Sequence, residues 1–147
     1  MLTIVTETLQ LRTRREMDIQ DITTEVQAVI ERSGVREGQA LLFVVGSTAA
    51  LTTVEYEPGL LEDLPTAFER LAPRGARYAH HERWHDGNGH SHVRASLTGP
   101  SLTIPIATGR LTLGTWQQII LIECDTHGRD RRIVVQLMGL KAATREA

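Results

Sequence analysis

QALLFVV, Gln39 to Val45, is an unbroken apolar run bounded by turn residues, with Gly46-Ser47-Thr48 directly after it. Its length and composition predict a strand buried on both faces. Ala50 to Tyr56 resumes a β-like pattern beyond the interruption. Working back from this run, Ile22, Val26, Val29 and Ile30 fall on one face of a helical wheel, with Glu25, Gln27, Glu31 and Arg32 elsewhere. That spacing predicts an amphipathic packing helix. Asp21 or Thr23 can cap its start, and Ser33-Gly34 supplies its stop. Further back, Leu2 to Thr13 alternates polar with apolar residues and is rich in β-branched side chains, as a strand requires.

Working forward, Pro58 opens a second helix that turns Leu60, Leu61, Leu64, Phe68 and Leu71 inward. Pro65 either kinks it or marks its start. Arg77 to Trp84 and His90 to Leu97 read as two strands around the turn His85-Asp86-Gly87-Asn88-Gly89. Ser101 to Ile106, Gln118 to Asp125 and Arg132 to Met138 are three more strands, with His127 to Asp130 turning between the last two. Strands joined by short turns, with two main helices, predict an α+β fold with a largely antiparallel sheet. No linker or repeat divides the chain, so residues 1–147 are expected to form one domain.

Composition narrows the functional classes. Of 147 residues, 41% are hydrophobic and 23% charged, and the net charge is −2. That balance gives no basic face for nucleic acid and no attraction to an anionic membrane surface. No apolar block marks a secretory signal or a spanning helix. Cys124 is the single cysteine, which excludes an intramolecular disulfide and fits a reducing, cytoplasmic compartment.

Five of the six histidines, His80, His81, His85, His90 and His92, lie between Tyr78 and Arg94. Imidazole is the usual nitrogen ligand of zinc and other transition metals. On a strand, His90 and His92 project to the same side. A hairpin closed near Gly87 brings His80 beside them. The expected site is therefore His80, His90 and His92 around a divalent metal, zinc first, with a coordination position left for water or substrate. His81 points away from such a cluster and His85 sits in the turn. Asp86 and Asn88 are expected to orient ligands or substrate.

Three other constellations carry chemistry. Gly46-Ser47-Thr48 either cradles a phosphate with amides and hydroxyls or is a bend in a long strand. It is neither a Walker sequence nor a dinucleotide fingerprint, so no nucleotide cofactor is expected. Trp116-Gln117 either stacks on and bonds a planar substrate or belongs to the core. Glu123 and Asp125 alternate with apolar neighbours, which leaves a general base, a partner for an imidazole, or a solvent-facing carboxylate. In the Arg129-Arg131-Arg132 turn, arginine forks suit phosphate, but a solvated turn accounts for them as well.

GSTAALTTVEYEPG (Gly46 to Gly59), DGNGHSHVRASLTGPSLTIPI (Asp86 to Ile106), Gly109-Arg110-Leu111 and Leu113-Gly114-Thr115-Trp116-Gln117 together resemble the YjbQ family, from Thr8 to Gly139. Some members carry the name secondary thiamine-phosphate synthase. The resemblance implies a one-domain α+β fold, a homotrimer with pockets near subunit contacts, and an activity that joins a pyrimidine methyl diphosphate to a thiazole phosphate and releases pyrophosphate. Glu55, His80, Asn88, His92, Gly114, Thr115, Trp116, Gln117 and Glu123 match common family positions. Glu55 and Glu123 then become candidates for acid–base or supporting work, and Ser47, Thr48, Trp116 and Gln117 for contacts to a small phosphorylated substrate. Many members have histidine where this chain has Gly46, and asparagine where it has Val54. The alternatives are a non-catalytic protein that binds a metal or small anion, and a metal-assisted phosphate-ester hydrolase.

Overall fold

The structure is a computed structural model that describes residues 1–143. The strands are β1 (Thr3–Arg12), β2 (Ile19–Asp21), β3 (Val35–Val45), β4 (Ala49–Val54), β5 (Ser101–Ala107), β6 (Arg110–Leu111), β7 (Gln118–Glu123) and β8 (Asp130–Lys141). The helices are α1 (Thr23–Ser33), α2 (Pro58–Leu71), α3 (Ala79–Trp84) and α4 (Gly89–Thr98). A five-stranded sheet runs β1-β8-β3-β5-β6 and a three-stranded sheet runs β2-β7-β4. Every pairing is antiparallel. The fold is α+β, as the alternation of strands and short turns predicts. Among the described residues no helix is long and apolar enough to cross a membrane.

α1 and α2 form where the helical spacing places them. Asp21 Oδ1 accepts the Thr23 N–H at the start of α1, and Val26, Val29 and Ile30 are buried. At α2 the Glu57 carboxylate accepts from the N–H groups of Gly59 and Leu60, with Pro58 in the first turn. Pro65 lies inside this helix, which continues to Leu71 without a break.

Alternation along the strands creates two cores. One face of β3, β5 and β8 (Ala40, Leu42, Val44, Ile104, Ile133, Val135) packs with α1 against Ile119 and Leu121 of β7. The other face of β7, Ile120 and Ile122, packs with Phe68 of α2 and Ala95 of α4. β7 is therefore the strand buried on both sides. The expectation for Gln39 to Val45 is corrected: Leu41, Phe43 and Val45 are exposed, because among the described residues no element packs over the outer face of the five-stranded sheet. A run of apolar residues does not distinguish a strand between two layers from a strand in an uncovered one.

The second correction concerns the histidine region. Arg77 to Trp84 and His90 to Leu97 are not strands; they contain α3 and α4, which makes four helices among the described residues rather than two. The buried side chains of α4 include His90, Ser91, Arg94 and Ala95, spaced i, i+1, i+4 and i+5 as one helical face. β-Branched residues are almost absent between Arg77 and Leu97, with Val93 alone among them. Gly89 is required by close approach, since a Cβ there would lie 2.5 Å from the Cβ of Tyr78.

Candidate functional site

The helical geometry regroups the histidines. Two residues along a helix turn the side chain by about 200°, so His90 and His92 leave α4 in opposed directions. His90 is fully buried, and its Nε2 makes a short contact to Glu16, on the loop between β1 and β2. His92 faces α3 instead. Its ring centroid lies 4.5 Å from that of His80, with the planes inclined by 43°. The expected trio is thus not assembled: His80 and His92 meet, and His90 anchors the β1–β2 loop. His81 holds the helix junction, accepting the Gly89 N–H at Nε2 over 3.0 Å. His85 closes α3 in a left-handed conformation, φ 55°.

Carboxylates and amides surround the imidazole pair. Asp86 Oδ1 lies 3.4 Å from Nδ1 of His80. Asn88 sits between two acids: its amide donates to Asp86 Oδ1 at 2.9 Å in one orientation and to Asp125 Oδ1 at 3.5 Å in the other. Asp125, just past the end of β7, accepts from the Thr48 hydroxyl at 3.0 Å, from the Thr126 N–H at 2.8 Å and from Nε of Arg129 at 2.7 Å. Burial works to raise the Asp125 pKa, but the donors from Thr126, Thr48, Arg129 and Asn88 outweigh it and hold the carboxyl below the usual range. Burial and then the neighbouring His80 push the His92 pKa below that of an ordinary histidine, against the pull of Asp125, Asp86 and the Ser47 main chain. His92 is neutral at pH 7, the form that binds a metal or accepts a proton.

Behind this layer lies a closed ion pair. Arg131 donates from Nε to both Glu123 oxygens at 3.1 and 3.0 Å and from Nη2 to Oε2 at 2.5 Å. Nη2 also reaches the Thr48 hydroxyl at 2.8 Å and its carbonyl at 3.1 Å. Thr13 donates its hydroxyl to Glu123 at 2.9 Å. Glu123, fully enclosed, is thereby committed to Arg131 and Thr13 rather than to the histidines. The single hydroxyl proton of Thr48 is likewise committed, to Asp125. Ser47 is exposed with its hydroxyl free of any bond to a described residue.

The remaining predicted residues lie elsewhere. Trp116 and Gln117 precede β7, while Glu123 ends it and Asp125 follows. The length of the strand separates the two groups by about 20 Å. Gln117 braces its own turn, accepting the Gly114 N–H and donating to Thr53, and Trp116 projects into solvent at 74% exposure. Glu55, also exposed, follows β4 at this same far end. A cavity of about 400 Å³ opens there, lined in part by Thr23, Gln27, Arg110, Leu113 and Gln117. Asp125 and Arg131 are the residues that sequence reasoning undervalued. The signal available was the i, i+2 spacing of Glu123 and Asp125, but β7 ends between them, so the two acids do not share a face.

Two imidazoles in contact, one held neutral and the other backed by a carboxylate as metal-bound histidines usually are, suit zinc. Among the described residues no three His, Cys, Asp or Glu side chains are already arranged to hold an ion. A third protein ligand would have to be Asp86 or Asp125, each engaged in the bonds above.

The chain resembles proteins from several organisms along most of its length. It is 41% identical over 136 residues to a UPF0047 protein of Methanothermobacter thermautotrophicus, covering 92% of this chain and 93% of that one. It is 33% identical over 135 residues to the UPF0047 protein YugU of Bacillus subtilis, covering 90% and 98%. The crystal structure of a YbjQ-like protein of unknown function from Sulfolobus solfataricus superimposes with a TM-score of 0.90 at 33% identity, covering 95% of this chain and all of that one. The sequence pattern of the family described as UPF0047 protein YjbQ-like matches residues 7–140, and the chain belongs to that family.

Proposed function

We propose that the protein is a metal-capable enzyme of the secondary thiamine-phosphate synthase type, acting on small phosphorylated molecules at the His80–His92 centre. The observation that carries this reading is the meeting of two imidazoles from separate helices, 4.5 Å between centroids, beside the Asp86, Asn88 and Asp125 side chains. In the reaction the thiazole nitrogen attacks the pyrimidine methylene carbon while the bond from that carbon to the diphosphate oxygen breaks and pyrophosphate departs. A bound divalent metal, zinc by preference, would supply the positive charge that stabilises the leaving group. His80 and His92 are the residues to hold it. Asp86 orients the His80 ring, and Asn88 can offer its amide to a substrate oxygen. Asp125 stays ionised and keeps Thr48, Asn88 and Arg129 in register. We place the protein in the cytoplasm as a homotrimer. The exposed apolar side chains Leu41, Phe43 and Val45 on β3 support an assembly that covers the outer sheet face.

The test is thiamine-phosphate formation by zinc-loaded protein, with and without chelator, beside zinc titrations of wild type and His92→Ala. Turnover lost on chelation, with a zinc affinity in the variant reduced beyond the roughly 10–100-fold that an outer partner contributes, supports the reading. Stoichiometric zinc with no turnover leaves a metal-binding protein instead. Release of phosphate from a general phosphatase substrate would favour the hydrolase. Unchanged metal content and turnover in His92→Ala would remove the site assignment.

A further inference from the structure

The Arg131 guanidinium is fixed on one side and open on the other. Its Nε and Nη2 are bound by Glu123 and Thr48, yet Nη1 has no hydrogen-bond partner among the described residues. The residue is 5% exposed. Among the described residues, the fully enclosed side-chain polar atoms that lack a partner are His90 Nδ1 and Ser91 Oγ. Nη1 is not one of them, so solvent reaches it.

What reaches Nη1 is set by Gly46. A Cβ built on this glycine would meet Nη1 at 2.8 Å, and its φ of +133° strains any L side chain. The absence of a side chain at position 46 is what makes room for the guanidinium. The backbone N–H groups of Gly46, Ser47 and Thr48 make no hydrogen bond to any described residue, and the Ser47 hydroxyl is free beside them. A cleft of about 130 Å³ runs along the same turn, lined by Gly46, Ser47, Ala49, Ala95, Ser96 and Pro100, while Arg131 lines a separate cavity with Gln10, Leu11, Arg12, Asp130 and Arg132. The main chain of Ser47 also bears on His92, so the turn adjoins the imidazole pair. An immobilised guanidinium edge next to unpaired amides and a hydroxyl is the chemistry that recognises a phosphoryl group.

We infer that Nη1 of Arg131, together with the Gly46–Ser47 main chain and the Ser47 hydroxyl, forms the subsite for the phosphoryl or diphosphoryl group of the substrate. The inference rests on the proposed reading of an enzyme for phosphorylated molecules and adds the group that would grip the anion. Arg131 takes the space that a side chain at position 46 would fill, and Glu123 sets its angle.

The experiment is a titration of metal-free protein, chelator present, with inorganic phosphate and with pyrophosphate, followed by backbone and arginine side-chain NMR. Saturable shifts at the Gly46 and Ser47 amides and at Arg131 Nη1 are expected, larger for pyrophosphate. Gly46→Ala should weaken pyrophosphate binding at least tenfold. Since the backbone strain at position 46 endangers folding of that variant, the wild-type titration decides by itself. No saturation, or shifts confined to the exposed Arg12, Arg14, Arg15 and Arg132, would mean an adventitious ion only and overturn the subsite. Zinc uptake by the same wild-type preparation after the chelator is removed separates the two readings: uptake at His80 and His92 without anion binding sinks this inference and leaves the metal centre standing.

Discussion

Glu123→Gln tests the frame on which the whole site is hung. The substitution keeps the size of the side chain and removes its charge. In the folded protein Glu123 is fully buried and Arg131 nearly so, and three contacts at 2.5–3.1 Å join them. Removing one partner of such a pair leaves the other charge buried without compensation, which costs about 3–5 kcal/mol. The new amide oxygen still accepts one of the arginine N–H groups, so the expected loss is near the lower end, about 3 kcal/mol. That is a large share of the roughly 5–15 kcal/mol available to a domain of ordinary stability. Urea unfolding followed by far-ultraviolet circular dichroism measures it, because the exposed tryptophans report poorly on this interior. The double variant Glu123→Leu with Arg131→Met should be less destabilised than the sum of its single changes, since it leaves no orphaned charge. A Glu123→Gln protein within about 1 kcal/mol of wild type would refute the argument, because only a solvated, weakly held pair behaves that way.

Three further outcomes follow from the same geometry. Gly89→Ala forces a methyl group to within 2.5 Å of the Tyr78 Cβ and should cost about 1–3 kcal/mol by overpacking; a melting temperature equal to that of wild type would show that α3 yields freely. The His92 pKa is lower in the folded chain than the ordinary histidine value of 6.5, so its share of stability is complete above that pH and is lost as the pH falls through the lowered folded value. Unfolding free energies measured from pH 7 to pH 5 should decline less steeply in His92→Gln than in wild type, and parallel slopes would contradict the shift. Burial pushes the Cys124 thiol up to about 12, so a thiol reagent at pH 8 should leave native protein unmodified and label it after addition of denaturant; rapid labelling of native protein would place the thiol elsewhere.

The sequence carried the strand framework because most strands here bury one face and expose the other, and that alternation is written in the residues. Leu2 to Thr13 and Arg132 to Met138 are read correctly, and they pair along their length, Thr3 with Gly139 through Arg12 with Asp130. QALLFVV was less legible. Leu41, Phe43 and Val45 are apolar yet exposed, and whether a second layer covers them is a property of the assembly rather than of the run itself.

The histidine region was misread for a different reason. An H-x-H pair has one meaning on a strand and the opposite meaning on a helix, and the choice depended on weak local signals. The scarcity of β-branched residues favoured helices, while Asp86-Gly87-Asn88-Gly89 suggested a hairpin equally well as a junction between two helices. Composition still pointed to a segment whose side chains gather, Asp86 with His80 and Asn88, and His80 with His92. Spacing could not say that His90 turns inward to Glu16, a residue 74 positions away. The same limit explains Glu123 and Thr48. Both carry groups suited to chemistry, and both have spent their hydrogen-bonding capacity on Arg131 and its neighbours. A side chain's availability is set by partners distant in sequence, so reactive residue types mark a region, and the pattern of satisfied and unsatisfied donors then selects the atoms within it. By that criterion the Ser47 hydroxyl and Nη1 of Arg131 stand open beside the His80–His92 pair, whereas the unpartnered His90 Nδ1 and Ser91 Oγ are sealed inside.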